Sequence, residues 1–203
     1  MKVKTKGREK PRLERRAAVA RLLRARKDEL IITGLGSPTF DVAAAGDTPL
    51  NFYFWGAMGG AAMAGLGLAL SQPKRRVLVI TGDGEMLMAL GSLATIACEK
   101  PGNLAIVILD NEHYGETGMQ LSHTGRGIDL AAIAKAAGFL ETVTIRTESE
   151  IDELATRIFS MSGMIFAVMK VDAKPTPVCL PPRDGPYLRS RFREALLGSD
   201  AHR

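Results

Sequence analysis

Cysteine is almost missing from this chain of 203 residues, which has only Cys98 and Cys179. The first falls in a helical pattern beside apolar neighbours and the second in a proline-containing tail, so neither a disulfide framework nor a cysteine metal site is expected. A reducing cytoplasm is the natural compartment. Aromatic residues make up only 5% of the chain, and none interleaves the basic residues of the N-terminus. That argues against a nucleic-acid partner. Long hydrophobic runs are missing too: no apolar stretch reaches the length of a membrane span without glycine or charge interrupting it. The N-terminus, MKVKTKGREKPRLERR, is basic but has no apolar segment of a secretory signal. What is present, 46% hydrophobic and 24% charged residues, suits one globular α/β domain with a full core.

The formal net charge of +5 conceals two opposite halves. Residues 1–27 hold twelve Lys and Arg against two Glu, and the remainder holds fifteen against twenty acidic residues. Such a leader could touch an acidic partner. It also reads as a solvated helix, because Leu13, Ala17, Val19, Leu22 and Leu23 fall near one face. By composition the chain divides into this leader (1–27, helical in its pattern), a main domain (28–175) and a proline-containing extension with a helix (176–203).

Strand-like and helix-like segments alternate. ELIITGL breaks at Gly34 and Gly36, and NFYFW follows as a second short strand. GAMGGAAMAGLGLALSQ has small residues at helical period and stops at Pro73. RRVLVITGDG and NLAIVILDN are buried-strand runs. Between them, EMLMALGSLATIACEKPG reads as one helix ended by Pro101-Gly102. DLAAIAKAAGF has Asp129 as N-cap and Gly138 past its end, and TESEIDELATRIFSM opens with a capping box from Thr147 to Glu150. ETVTIR and MIFAVMKVDA are further strands, and YLRSRFREALL is a closing helix. This order predicts an α/β three-layer sandwich with a mostly parallel central sheet, whose strand C-termini form one ligand-binding edge.

Asp83, wedged in Gly82-Asp83-Gly84, and Asn111 end two successive apolar runs. If those strands are neighbours, a carboxylate and an amide oxygen converge at the ligand edge. That pairing suits Mg²⁺, which takes a few protein oxygens and completes its shell with water and phosphate. Gly82 and Gly84 permit a tight turn, and the helix that begins near Glu85 aims its N-terminus at the same spot. The parts describe a magnesium–diphosphate site; Gly-Asp-Gly alone would read as an ordinary capped turn. A zinc reading of Glu112 and His113 is weak, since no other His or Cys has ligand spacing.

Gly-Asp-Gly followed after 26 residues by Asn resembles the motif of the thiamin diphosphate enzymes. Gly56-Ala57-Met58-Gly59, with Met58 placed 25 residues before Asp83, is similar to the segment that props the cofactor in their decarboxylases and acetolactate synthases. NFYFWGAMG, LATIACEKPGNLAIVILDNEHYGETGMQLSHT and DLAAIAKAAGF look like the β subunit of sulfopyruvate decarboxylase and the matching half of phosphonopyruvate decarboxylase. The likeness covers roughly residues 15–195. It implies the thiamin diphosphate-binding fold of the PP type over residues 28–175, with thiamin diphosphate and Mg²⁺ as cofactors. The metal ligands it implies are Asp83, Asn111 and the main-chain carbonyl of His113. Gly36, Ser37, Gly56, Met58, Gly82, Gly84, Glu85, Tyr114, Thr117 and Gly118 would touch cofactor, and Met58 and His123 would serve the reaction, His123 with Gln120 facing the substrate pocket. Glu85 stands where relatives have a small polar residue and is expected to point outward from the first helical turn, because an inward acid would repel phosphate.

The resemblance also implies a missing half: a separate α subunit with the pyrimidine-binding domain and its glutamate, in a hetero-oligomer acting on a small anionic 2-oxo acid. A carboligase of the acetolactate synthase kind and the β subunit of a 2-oxo acid oxidoreductase are the alternative enzymes. A non-catalytic nucleotide or diphosphate binder is the alternative from another class. No complete Gly-x-Gly-x-x-Gly follows a strand, which disfavours a dinucleotide site.

Overall fold

The computed structural model describes residues 12–160 and 163–202. The part of the basic leader before residue 12 lies outside the described residues. The two apolar runs become adjacent strands, β3 (Val77–Gly82), buried except at Gly82, and β4 (Leu104–Asp110), buried throughout, paired in parallel from Val77 opposite Leu104 to Gly82 opposite Leu109. Such continuous Val/Ile/Leu runs are what a strand covered on both faces requires. β1 (Leu30–Thr33) and β2 (Asn51–Tyr53) extend the sheet on one side, and β8 (Ile165–Lys170) and β7 (Glu141–Ile145) on the other. The order is β2-β1-β3-β4-β8-β7, parallel throughout. The order in which the chain adds strands reverses between β1 and β3, which makes the C-terminal side of that junction the crevice of the sheet.

Helices cover both faces. α1 (Arg15–Leu23), α2 (Ser37–Ala45) and α7 (Glu148–Phe159) bury Val19, Leu22, Val42, Ile151, Leu154 and Ile158 against Leu78, Ile80, Val107 and Ala167. α3 (Ala61–Ser71), α5 (Ser92–Glu99) and α6 (Leu130–Ala137) bury Ala62, Leu66, Leu93, Ile96 and Ala134 against Val77, Val79, Ile106 and Phe166. Alternate residues of β3 and β4 thus serve opposite layers, as period-two geometry dictates. The last helix, α8 (Gly185–Leu197), inserts Leu188 into the first core and Phe192 into the second. Among the described residues no helix is long and apolar enough to cross a membrane.

Four expectations need correction. The segment after Gly84 forms two helices, α4 (Asp83–Met88) and α5, because the chain turns at Ala89–Gly91. α2 has no counterpart in the sequence reading; it is nine residues long and starts at Ser37-Pro38. A short hairpin, β5 (His113–Tyr114) with β6 (Gln120–Leu121), was not anticipated either. The leader helix is not solvated all round. Ala18 rather than Ala17 is buried with Val19 and Leu22, and Arg15 is buried with them. Its charges meet the acidic body: Arg15 and Arg16 pair with Asp41, Arg21 with Glu148 and Asp152, and Arg12 with Glu112.

The capping box of α7 is present as read, with the Thr147 hydroxyl on the Glu150 N–H and the Glu150 carboxylate on the Thr147 N–H. Thr147→Ala is expected to lower stability by about 1 kcal/mol in urea unfolding, the ordinary worth of an N-cap hydroxyl. An unchanged midpoint would show that the Glu150 half of the box suffices.

Candidate active site at the sheet crevice

Asp83 follows the last residue of β3 and Asn111 the last residue of β4, and because these strands are neighbours the two side chains line one cleft. The cleft has a volume of about 180 Å³. Of the residues proposed from sequence, Ser37, Met58, Gly82, Gly84, Glu85, His113, Tyr114 and Thr117 line it as well. Gly36 lies just behind it as the N-cap of α2. Its φ of +73° suits glycine, and a Cβ there would come 2.6 Å from Glu116 Oε1. Gly56 and Gly118 do not line the cleft; both hold positive φ in the turns that carry Met58 and Thr117. His123 lines an adjoining pocket with Gln120 and Arg126, which shares Tyr114 and Thr117 with the cleft. The two are linked by the Tyr114 hydroxyl, 2.8 Å from His123 Nδ1.

Asp83 is almost fully buried. It accepts a hydrogen bond from the Ser122 hydroxyl, at 2.5 Å, and the Thr124 hydroxyl lies 3.2 Å away. Burial pushes its carboxyl up to about 6, helped by the nearby charge of Asp110 and opposed by the two hydroxyls. Asp110 itself, a second strand-tip carboxylate that the sequence reading passed over, is held by Lys170 at 2.6 Å and Thr124 at 2.7 Å. The Asn111 side-chain oxygen accepts from the His113 N–H at 2.8 Å, closing a tight turn through Glu112, whose φ is +64°. One lone pair of that oxygen is left to face the cleft.

Glu85 corrects the expectation made for it. It points inward and is buried, its carboxylate accepting from the main-chain N–H of Leu35, at 2.7 Å, and of Gly59, at 3.3 Å. Gly34 makes this possible, since a Cβ there would fall 1.9 Å from Glu85 Oε2. The acid thereby ties the loop after β1 to the loop carrying Met58, and both oxygens are engaged by backbone donors. Sequence reasoning missed Arg15 and Glu116, which also line the cleft. Nothing local marks them, because Arg15 reaches the cleft only through the packing of α1 on α2.

Comparison with known proteins places this geometry. Residues 34–169 match the family described as thiamine pyrophosphate enzyme, C-terminal TPP binding domain. The chain is 40% identical over 187 residues to the sulfopyruvate decarboxylase subunit beta of Methanothermobacter thermautotrophicus, covering 92% of this chain and 97% of that one. It is 37% identical to the sulfopyruvate decarboxylase of Methanosarcina acetivorans over 95% of its own length, but spans only 49% of that longer protein. In three dimensions it resembles the crystal structure of benzoylformate decarboxylase from Polynucleobacter necessarius. The TM-score is 0.66 at 20% identity, over 88% of this chain and 36% of the other, a likeness of fold.

Proposed function

Since the chain belongs to the thiamine pyrophosphate enzymes, and within them to the family of the sulfopyruvate decarboxylase β subunits, we propose that it is the diphosphate- and magnesium-holding subunit of a two-subunit decarboxylase. Its substrate is a small anionic 2-oxo acid, sulfopyruvate-like or phosphonopyruvate-like. The observation that carries the reading is the convergence of Asp83, Asn111, Met58 and Tyr114 on one cleft at the point where the sheet order reverses.

The residues present fit the cofactor. A buried carboxylate with a raised pKa is short of a positive partner, and a divalent ion supplies one. Among the described residues no three His, Cys, Asp or Glu gather for a metal. The assigned set needs only one carboxylate, with an amide oxygen and the His113 carbonyl beside it, which is the sparse protein coordination that Mg²⁺ with phosphate prefers. When bound, thiamin diphosphate supplies the nucleophilic carbon and the electron sink that 2-oxo acid decarboxylation requires. This chain's part would be to hold and orient: Asp83 and Asn111 would hold the ion, the Gly82–Gly84 backbone would face the diphosphate, and Met58 would support the rings. Tyr114 and His123 are joined by a 2.8 Å hydrogen bond beside the cleft. The free thiols Cys98 and Cys179 fit a reducing cytoplasm.

The pyrimidine-binding half, with its glutamate, we assign to an α subunit. The printed name of the Methanothermobacter relative, a subunit beta, supports this, as does a match to 49% of the longer Methanosarcina protein. Co-expression with the adjacent reading frame is expected to yield a complex that releases CO₂ from 2-oxo acids, with an aldehyde rather than a ligated ketone as product. Full activity of the isolated chain would overturn the split site, and a ketone product would favour a carboligase.

A further inference from the structure

Among the described residues three carboxylates line the cleft, those of Asp83, Glu85 and Glu116, and Arg15 is the one arginine or lysine that lines it with them. Arg15 belongs to α1, which precedes the matched residues 34–169, so the family match says nothing about it. Its side chain is only 6% exposed. Nε donates to Asp41 Oδ2 at 2.5 Å and one terminal nitrogen donates to the Thr176 hydroxyl at 2.8 Å. The other terminal nitrogen has no hydrogen-bond partner among the described residues. Asp41, fully buried, is shared with Arg16, whose Nε lies 3.0 Å from Oδ1. Two guanidinium groups on one carboxylate leave a surplus positive charge under the cleft. An unused donor on a guanidinium held in place by a shared carboxylate is a ready partner for an anion in the cleft.

We infer that Arg15 is a diphosphate-anchoring residue, its spare N–H donating a charge-assisted hydrogen bond to a phosphate oxygen of thiamin diphosphate. This rests on the cofactor reading above. A diphosphate tail set among three carboxylates needs cations besides the metal ion, and the guanidinium fork matches phosphate oxygens in geometry as well as charge. Asp41 and Thr176 orient the fork, so the leader helix completes the cofactor site rather than merely packing beside it.

The test uses the full chain in complex with its α partner, titrated calorimetrically in the presence of Mg²⁺ with thiamin diphosphate and, separately, with thiamin. Arg15→Met is expected to weaken thiamin diphosphate about thirtyfold, the ordinary worth of a charged hydrogen bond, and thiamin no more than about twofold. Arg16→Met, which takes a partner from the same Asp41 without touching the cleft, is expected to leave both affinities near those of the parent. Equal losses for the two ligands, or equal losses in the two variants, would mean that the cluster only supports the fold and would overturn the inference. Should Arg15→Met fail to fold, Arg15→Lys decides: a selective loss of about fivefold for thiamin diphosphate supports the lost fork, and no selective loss overturns it. If the parent complex binds no thiamin diphosphate, the cofactor reading falls first and the inference with it.

Discussion

Asp83→Asn is expected to yield a chain that no longer retains Mg²⁺ and thiamin diphosphate, yet in its cofactor-free form at pH 7.5 is more stable than the parent, by up to about 3 kcal/mol. The two effects have one cause. Burial raises the Asp83 carboxyl from 3.8 to about 6. A folded-state pKa above the unfolded one means that the folded chain binds the proton more tightly. Stability therefore falls as pH rises from about 4 through about 6 and stays reduced above that window. Asparagine has no such charge, and its side-chain oxygen can still accept from the Ser122 hydroxyl. The variant's advantage should be full at pH 7.5 and gone near pH 4, as read by urea unfolding of the apo forms at both pH values. Asp110 keeps its 2.6 Å ion pair with Lys170 in the variant. Retention of the cofactor by Asp83→Asn would remove the metal assignment. An unchanged apo stability at pH 7.5 would show instead that burial does not penalise the carboxylate.

That a group can be destabilising before its ligand arrives is a common mark of functional sites, and it bears on what the sequence could disclose. β3 and β4 were legible because each is an unbroken apolar run ended by a polar residue, and strand neighbours in a parallel sheet put those ends together. The capping box of α7 was legible because all its parts lie within four residues. α2 was not: nine residues with Thr, Phe and Val among them carry little helical signal, and Pro38 at its start looks like a loop until the helix is seen around it. The inward turn of Glu85 depends on Gly34, some fifty residues away, being bare of a side chain, and on two N–H groups that only the folded loops bring near. Arg15 depends on α1 lying against α2. Pattern reading recovers what is local or periodic; these residues take their roles from contacts that no period encodes.

Met58→Ala is the substitution expected to separate binding from turnover. Met58 sits on a loop whose shape leaves little freedom. Gly56 and Gly59 hold φ of +80° and +90°, Gly60 lies so close to Phe54 that a Cβ would be 2.7 Å from its ring, and the Gly59 N–H is held by Glu85. From this rigid base the thioether reaches across the cleft, its Cε 3.8 Å from where a Cβ on Gly84 would stand. An apolar side chain 41% exposed at the edge of the cleft is unfinished packing, which on the proposed cofactor reading the ring system would complete. On the proposed reading diphosphate and metal would supply most of the affinity, so removing Met58's side chain should change cofactor binding by no more than about threefold. Rings without that support would be misplaced for the reaction, and kcat of the α/β complex should fall about 100-fold, the scale set by a displacement of roughly 1 Å. Met58→Leu, which conserves volume, should recover most of that rate. An alanine variant that turns over like the parent would reduce Met58 to a filler of the cleft wall. A variant that loses binding and rate together would show that its contact serves affinity rather than geometry.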